Sequence, residues 1–340
     1  MQQPPYLRYI ADLQQQVHAV LAPWVADGPL AIVDFPDIRN VGDSAIWVGE
    51  IAYLRAHHRR QPAYVSALRG HSDQELEQAM PEGPIFVHGG GNFGDIWVAH
   101  QDFRERLLAR WKHRTVVQFP QSIHYGDPAR IAATARAIGA HGRFVLLVRD
   151  QESLHFARKH FDCEVRLCPD MAFCIGPIAA PPATLALLAM LREDKEKADQ
   201  RADAPLPDCP VEDWISEPRL PIALAKALGQ LSALPTLDRS RMQLSKFNAA
   251  AQQRLGRGVR QIGRARAIVT DRLHVHIISL LLGRPHAVLD NAYGKITRFM
   301  EAFPGGEDLT YRARSLDDAV AWARAQSAVR SAPALQGELR

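Results

Sequence analysis

The chain has 340 residues, too long for one typical domain and comfortable for two. It is 47% hydrophobic and 23% charged, the profile of an ordinary globular protein that can bury a sizeable core. A net charge of +4, spread without a long Lys/Arg run, suits anionic ligands and argues against a nucleic-acid binder.

Residues 6–22 carry apolar side chains at helical spacing (Leu7, Ile10, Leu13, Val17, Val20, Leu21), and Pro23 and Gly28 punctuate the end. This N-terminal segment lacks a basic region followed by an apolar core, so it does not read as a signal peptide. No apolar run reaches the ~20 residues that span a bilayer. A cytoplasmic protein is expected, with a peripheral membrane contact through the first helix as the alternative. PLAIVDF (29–35) reads as a buried strand, followed by polar DIRNVGD and a helix, SAIWVGEIAYLRAHH. The strand–loop–helix order then recurs. PIFVHGG (84–90) precedes a Gly-rich loop; TVVQFPQS (115–122) precedes a helix from about Pro128 to Ile138; RFVLLVRD (143–150) precedes the helix QESLHFARKHF; VRLCPDMAF (165–173) closes the series.

Near-continuous apolar runs separated by helices indicate parallel sheets covered on both faces. The expected fold class is α/β, with two Rossmann-like doubly wound domains facing a cleft. The first spans residues 1–175. A Pro/Ala-rich linker, GPIAAPPAT (176–184), leads to a second domain, 185–328, which opens on TLALLAMLRED. The polar stretch 195–220 reads as a long loop or mobile insertion. Helical patterns near 221–232 and 246–262 follow, then a strand (265–270), a helix (273–283), a strand (285–290) and a last helix capped by Ser315 with an acidic first turn. Residues 329–340 read as a disordered tail. Cys163, Cys168, Cys174 and Cys209 form no CxxC pair and have no histidines at zinc spacing, so they read as free, mostly buried thiols and no metal site is expected.

In such sheets the loops after the strands carry the ligand contacts. In Arg39-Asn40-Val41-Gly42-Asp43, Asn40 and Gly42 suit tight positive-φ geometry and Asp43 or Ser44 would cap a helix; the segment is either a turn or a sugar or phosphate contact. In His88-Gly89-Gly90-Gly91-Asn92-Phe93-Gly94-Asp95, three glycines let backbone amides approach a ligand, though neither GxGxxG nor a P-loop is formed. Arg149 ends a strand and points its fork either at a cleft anion or at Asp150 or Glu152. Arg192, before Glu193 and Asp194, is a weaker version of the same signal. Arg272 and His274 lie where strand gives way to helix, where the backbone already favours an anion. His276 sits about 200° around the helix from His274 and is read as structural. Lys295, in Asp290-Asn291-Ala292-Tyr293-Gly294-Lys295, would reach the same anion or sit in a solvated turn.

Together NVGDSAI (40–46), HGGGNFGD (88–95), VRDQES (148–153), LCPDMAF (167–173), VTDRLHVHIISLLLG (269–283) and LDNAYGK (289–295) resemble the polysaccharide pyruvyltransferase family, in the family's order and over most of both halves. The resemblance implies a fold similar to GT-B glycosyltransferases, phosphoenolpyruvate as donor substrate, no cofactor or required metal, and a sugar acceptor in exopolysaccharide, capsule or cell-wall assembly that is free or lipid-linked. It implies that Arg149, Arg272, His274 and Lys295 surround the donor on the C-terminal side, with Arg192 beside them. His274 is expected as general acid. Asp43 and Asp95 would orient or deprotonate the acceptor on the N-terminal side, with Asn40, Gly42, Gly89, Gly90, Gly91, Asn92, Asn291 and Tyr293 as acceptor or loop contacts. The competing expectations are a nucleotide-sugar glycosyltransferase on the same fold and a non-catalytic sugar- or anion-binding protein.

Overall fold

The computed structural model describes residues 3–25, 28–58, 61–193, 209–290 and 294–329. Helix α1 (Pro5–Leu21) leads to β1 (Ala31–Phe35), α2 (Val41–His57), β2 (Tyr64–Ala67), α3 (Asp73–Ala79), β3 (Ile85–Val87) and β4 (Gly90–Gly94). Next come α4 (Val98–Arg110), β5 (Val116–His124), α5 (Pro128–His141), β6 (Phe144–Val148), α6 (Gln151–His160), β7 (Glu164–Leu167) and a 3₁₀ turn at Met171–Ile175. These strands form one seven-stranded parallel sheet in the order β2-β1-β3-β5-β6-β7, with β4 paired to β5 off that path.

The second series is β8 (Leu185–Met190), β9 (Val211–Glu212), α7 (Arg219–Ser232), α8 (Arg239–Gly263), β10 (Ala265–Thr270), α9 (Leu273–Leu281), β11 (His286–Val288), α10 (Lys295–Ala302), β12 (Thr310–Arg312) and α11 (Leu316–Val329). Its five strands are also parallel, in the order β12-β11-β10-β8-β9. The apolar runs AIVDF and FVLLV are buried at every position because parallel strands are covered on both faces. Each sheet reverses its winding once, between β1 and β3 in the first and between β8 and β10 in the second. A crevice opens at the carboxyl ends of the strands at such a reversal.

One apolar cluster runs through both series, joining α1, α2, α8 and α9. Trp47 of α2 is its centre. The ring lies 4.8 Å from Phe35 and 6.1 Å from Phe247 of α8, and its Nε1 donates to Asn248 Oδ1 at 2.9 Å. Aromatic pairs of this kind add about 0.5–1.5 kcal/mol each beyond their buried area. The segment 176–184 is bound to the second series: Ile178 N donates to Leu281 O, Thr184 N to Arg264 O, and Arg284 to Pro181 O.

Several sequence readings change. Helix α2 begins at Val41, three residues before the expected start, and Asn40 rather than Asp43 or Ser44 caps it, accepting from Gly42 N at 3.0 Å; Asn40 is extended at φ −71 and Gly42 is helical, so neither takes the expected positive φ. The Gly-rich segment is a short strand, β4, because β5 is long enough to pair with it after β3 has ended. VRLCPDMAF is a strand only as far as Leu167 and then a 3₁₀ turn capped by Asp170. Within 195–220, residues 209–220 hold β9 and the start of α7, while 195–208 lie outside the described residues. So does the expected tail from residue 330. Elements β2, α3, α10 and β12 are too short to stand out by periodicity, and α4, though 13 residues long, buries polar Gln101 and Arg104 among its apolar residues and shows no clean apolar stripe. The first helix turns its apolar residues to the core: Tyr9, Ile10, Leu13, Val17 and Leu21 are all buried, and Tyr9 Oη donates to Phe303 O at 2.7 Å. Among the described residues no helix is long and apolar enough to cross a membrane. The four cysteines are free thiols, with Cys168 and Cys209 buried and Cys163 and Cys174 half-buried.

Candidate active site

The two reversal points face each other across a cavity of about 280 Å³. Its lining is drawn from residues that follow strands: Pro36 to Asp43 after β1, His88 after β3, Arg149 after β6, Arg192 after β8, Trp214 and Ile215 after β9, Arg272 to His274 after β10, and Lys295 after β11. Helices α2, α9 and α10 begin at this cavity. Their amino termini add partial positive charge to that of the side chains.

The second series supplies most of the cationic wall. Arg272, the residue preceding α9, is buried; its Nη2 donates to Asp213 Oδ2 at 2.5 Å, its amide donates to Thr270 Oγ1, and its guanidinium stands 5.9 Å from the Trp214 ring. Arg192 is placed by its own amide, which donates to Asp271 Oδ1 at 2.8 Å. Lys295 opens α10 and Arg149 arrives from the first sheet. Both approach Gly91, where an added Cβ would lie 3.3 Å from Arg149 Nη2 and 3.6 Å from Lys295 Nζ.

His274 is held between two elements of the first series. On one side its Nε2 lies 3.4 Å from Asp170 Oδ2, within reach for charge attraction but without hydrogen-bond geometry. On the other it packs on Gly42, where a Cβ would come within 2.4 Å of His274 Nδ1, so only glycine leaves room for the ring. Asp170 is fully buried and also accepts from Arg149 Nη1 at 2.6 Å and from Ala172 N at 2.9 Å. Burial alone would push its carboxyl up. His274, Arg149 and the Ala172 amide outweigh that and hold it well below the ordinary carboxylate range. A permanently ionised carboxylate therefore orients both His274 and Arg149. Asp150 caps α6 by accepting from Ser153 N at 2.7 Å, so Arg149 is free to pair elsewhere than with its neighbours.

The first series supplies a wall of a different character. Asn40, Asp43, Gly91 and Asn92 line it. Asn92 Oδ1 accepts from buried Arg104 and from Gln121. Gly90 adopts φ +128 and faces Asp43 Oδ1. Behind them sit two carboxylate–imidazole pairs. His88 Nδ1 is 2.9 Å from Glu50 Oε2, with both side chains buried, and Glu50 Oε1 accepts from Gly89 N. Burial would push the His88 imidazole down, but Glu50 beside it reverses this and raises it. His100 Nδ1 lies 2.9 Å from each oxygen of Asp34. Asp34, the penultimate residue of β1, adopts φ +69, a left-handed backbone that is costly for an aspartate, and its carboxylate meets His100 of α4.

The structure thus brings Asn40, Gly42, Asp43, Gly91, Asn92, Arg149, Arg192, Arg272, His274 and Lys295 to one place. It does not bring Asp95, whose Oδ2 accepts from Gly126 N and Asp127 N at 2.7 and 2.8 Å and ties down the loop after β5. Gly89 serves Glu50 rather than a ligand. Asn291 and Tyr293 lie outside the described residues. His276 is buried in the core, 2.7 Å from His286 Nε2. Among the described residues no group of three or more His, Cys, Asp or Glu is arranged to hold a metal ion. Sequence reasoning missed Asp170, Asp34, Glu50, His100, Asp213 and Trp214. Asp170 alone was signalled, as an acid placed just after a strand within a family-like segment.

Residues 40–293 match the family model described as polysaccharide pyruvyl transferase. The chain is 32% identical over 292 residues to Pyruvyl transferase 1 of Schizosaccharomyces pombe, covering 79% of this chain and 68% of that one. It is 26% identical over 302 residues to "Putative pyruvyl transferase EpsO" of Bacillus subtilis, covering 87% and 91%. A solved structure of an uncharacterized protein from Klebsiella pneumoniae has the same fold, with a TM-score of 0.56 at 15% identity over 86% of this chain and 96% of that one. A match over most of the chain, with the matched segments gathered around one cavity, places the protein: it belongs to the polysaccharide pyruvyl transferase family.

Proposed function

We propose that this protein transfers the enolpyruvyl unit of phosphoenolpyruvate to two hydroxyls of one sugar and releases phosphate, leaving a pyruvate ketal. The observation that carries this reading is the meeting of Arg149, Arg192, Arg272, Lys295 and His274 in one small cavity entered by three helix amino termini. That charge suits a compact donor with a carboxylate and a phosphate.

Arg149, Arg272 and Lys295 neutralise the two anionic groups, with Arg192 at the edge. His274 protonates the methylene carbon C3, and positive character develops at C2. One sugar hydroxyl attacks C2, the C2–O bond to phosphate breaks, and the second hydroxyl closes the ring. C3 gains one proton and the two hydroxyls lose two, the second leaving on phosphate or solvent. Asp170, by its fixed charge, positions His274 and Arg149 rather than touching the substrate. Asp43, on the opposite wall, receives a hydroxyl proton. The cations carry the charge stabilisation, so the reaction asks for no metal or cofactor.

In this reading residues 1–175 form the acceptor-side domain and 185–328 the donor-side domain of a GT-B-like pair, although Arg149 crosses to the donor. The acceptor is a sugar of an exopolysaccharide or of its lipid-linked precursor, met at the cytoplasmic face of a membrane. The test is phosphate release from phosphoenolpyruvate with a panel of β-linked galactosides, glucosides and mannosides, read beside their mass spectra. Stoichiometric phosphate with sugars heavier by pyruvate less water supports the reading. Tight nucleotide-sugar binding with no phosphate release would move it to a glycosyltransferase; ligand binding with neither would leave a binding protein.

A further inference from the structure

Most helices of this fold turn their apolar stripe inward, but α7 keeps one on each side. Its inner side packs on α8 so closely that a Cβ on Gly229 would lie 2.7 Å from Ser245 O. Its outer side carries Leu220, Leu224, Leu228 and Leu231, which are 79%, 56%, 56% and 59% exposed. Steps of four, four and three residues put them in one arc of about 80°. Leu234 and Leu237 continue the strip beyond the helix. A run of aligned, exposed leucines is a surface for interaction, unlike a scattered one.

Charge selects the occupant. From Arg219 to Gly263 the α7–α8 hairpin has eight Lys or Arg and one acid, Asp238; Lys226, Arg239, Arg241 and Arg254 are paired with carboxylates, and the rest carry the excess positive charge. Arg219 and Arg260 are exposed at its edges. A second copy would offer these two arginines no spare carboxylate from its own hairpin, because the one acid there, Asp238, is already paired with Arg241. An anionic bilayer takes both features, since leucines enter the headgroup–acyl boundary and the basic side chains meet phosphates. The position also fits. Lys226 of α7 pairs with Asp37 at 2.7 Å, and Arg257 of α8 donates to Arg39 O, so the hairpin is fastened to the loop that forms the cavity rim. That rim is itself apolar and exposed at Ile38, Trp97 and Ile215.

We propose that the α7 leucine stripe and its basic edges are a docking surface for an anionic phospholipid bilayer, which sets the mouth of the cavity beside the membrane. The surface stands without the reaction proposed above; only the delivery of a lipid-linked acceptor rests on it.

The test is co-sedimentation of the full chain with phosphatidylcholine vesicles, with and without phosphatidylglycerol. Binding is expected to phosphatidylglycerol vesicles, to weaken with added salt, and to be at least tenfold weaker without the anionic lipid. Leu224→Ser with Leu228→Ser should lower binding at least tenfold while the melting temperature holds, because both side chains are exposed. Arg219→Glu with Arg260→Glu should weaken it with the leucines intact. The inference is overturned if the wild type does not sediment with anionic vesicles, or if the leucine variant binds equally. It is also overturned if the stripe proves to join two copies, seen as a dimer in velocity centrifugation that the leucine variant dissolves. Phosphate release from phosphoenolpyruvate with a soluble sugar should be the same in all variants, so loss of that activity in the wild type would count against the reaction and not against the docking surface.

Discussion

The two walls of the cavity are built from the same parts, loops after parallel strands, and end in different chemistry. The second-series wall presents Arg192, Arg272 and Lys295. The first-series wall presents Asn40, Asp43 and Asn92 beside Arg39 and Arg149, backed by the Glu50–His88 and Asp34–His100 pairs. One wall suits a dense anion and the other a polyhydroxylated neutral molecule. The lesson is that a fold repeated twice divides labour by what its loops carry. His274 belongs to the cationic wall in sequence but is positioned by Asp170 and Gly42 of the other.

Perturbing each wall in turn sharpens or breaks this division. The largest effect is expected for His274→Ala, which should lower kcat about 10²–10⁴-fold in the phosphate-release assay with an unchanged circular dichroism spectrum. A near-normal rate would remove the histidine from proton transfer. Asp170→Asn comes next. It leaves buried Arg149 without its anionic partner and should cost about 3–5 kcal/mol in urea unfolding at pH 7. Because the folded carboxyl is held below its ordinary value, that stabilisation is present above about pH 4 and is lost as the pH falls further, so the variant and the wild type should converge only in strong acid.

The two histidines of α9 give a sharper contrast. His274 faces the cavity, while burial keeps His276 well below its ordinary range and pushes His286 down to about 4. An unfolded ring titrates near 6.5. The stabilisation from a neutral buried ring is therefore complete above about pH 6.5 and is lost as the pH falls towards 4, by about 3 kcal/mol from His286. Thermal melts should fall by several degrees over that interval, and His286→Gln should flatten the slope. Gly42→Ala inserts a methyl against His274 from the first-series side and should lower kcat about 10²-fold while leaving phosphoenolpyruvate binding, measured by calorimetry, nearly intact. The smallest effect is expected for His100→Ala. It should raise the acceptor KM about tenfold, the loss of one to two hydrogen bonds, and leave the donor KM alone. An equal rise in the donor KM would mean that the walls do not divide the substrates.

Much of this architecture was legible in the chain. AIVDF and FVLLV read as buried strands because a parallel sheet demands unbroken apolar runs. Arg149 stood out because it directly follows a strand, and Arg272 and His274 because they lie where β10 gives way to α9, the places where a side chain in a wound sheet meets a ligand. Asp95 occupies a similar position and goes elsewhere, since two backbone amides after β5 claim its carboxylate. Asp213 and Trp214 lay in a stretch that read only as polar loop, because a two-residue strand has no periodicity to detect.

The sequence by itself determined the alternation of strands and helices over most of the chain and the set of cations that follow strands. These are local properties, governed by periodicity, capping and steric size within a few residues. Only the tertiary structure decided which loops meet. The reversal of winding in each sheet, and the cluster around Trp47 that presses α2 on α8, bring Asp170 to His274, Asp213 to Arg272 and Gly42 to the imidazole. Those pairings are set by packing between elements far apart in the chain, and no pattern along the chain carries them.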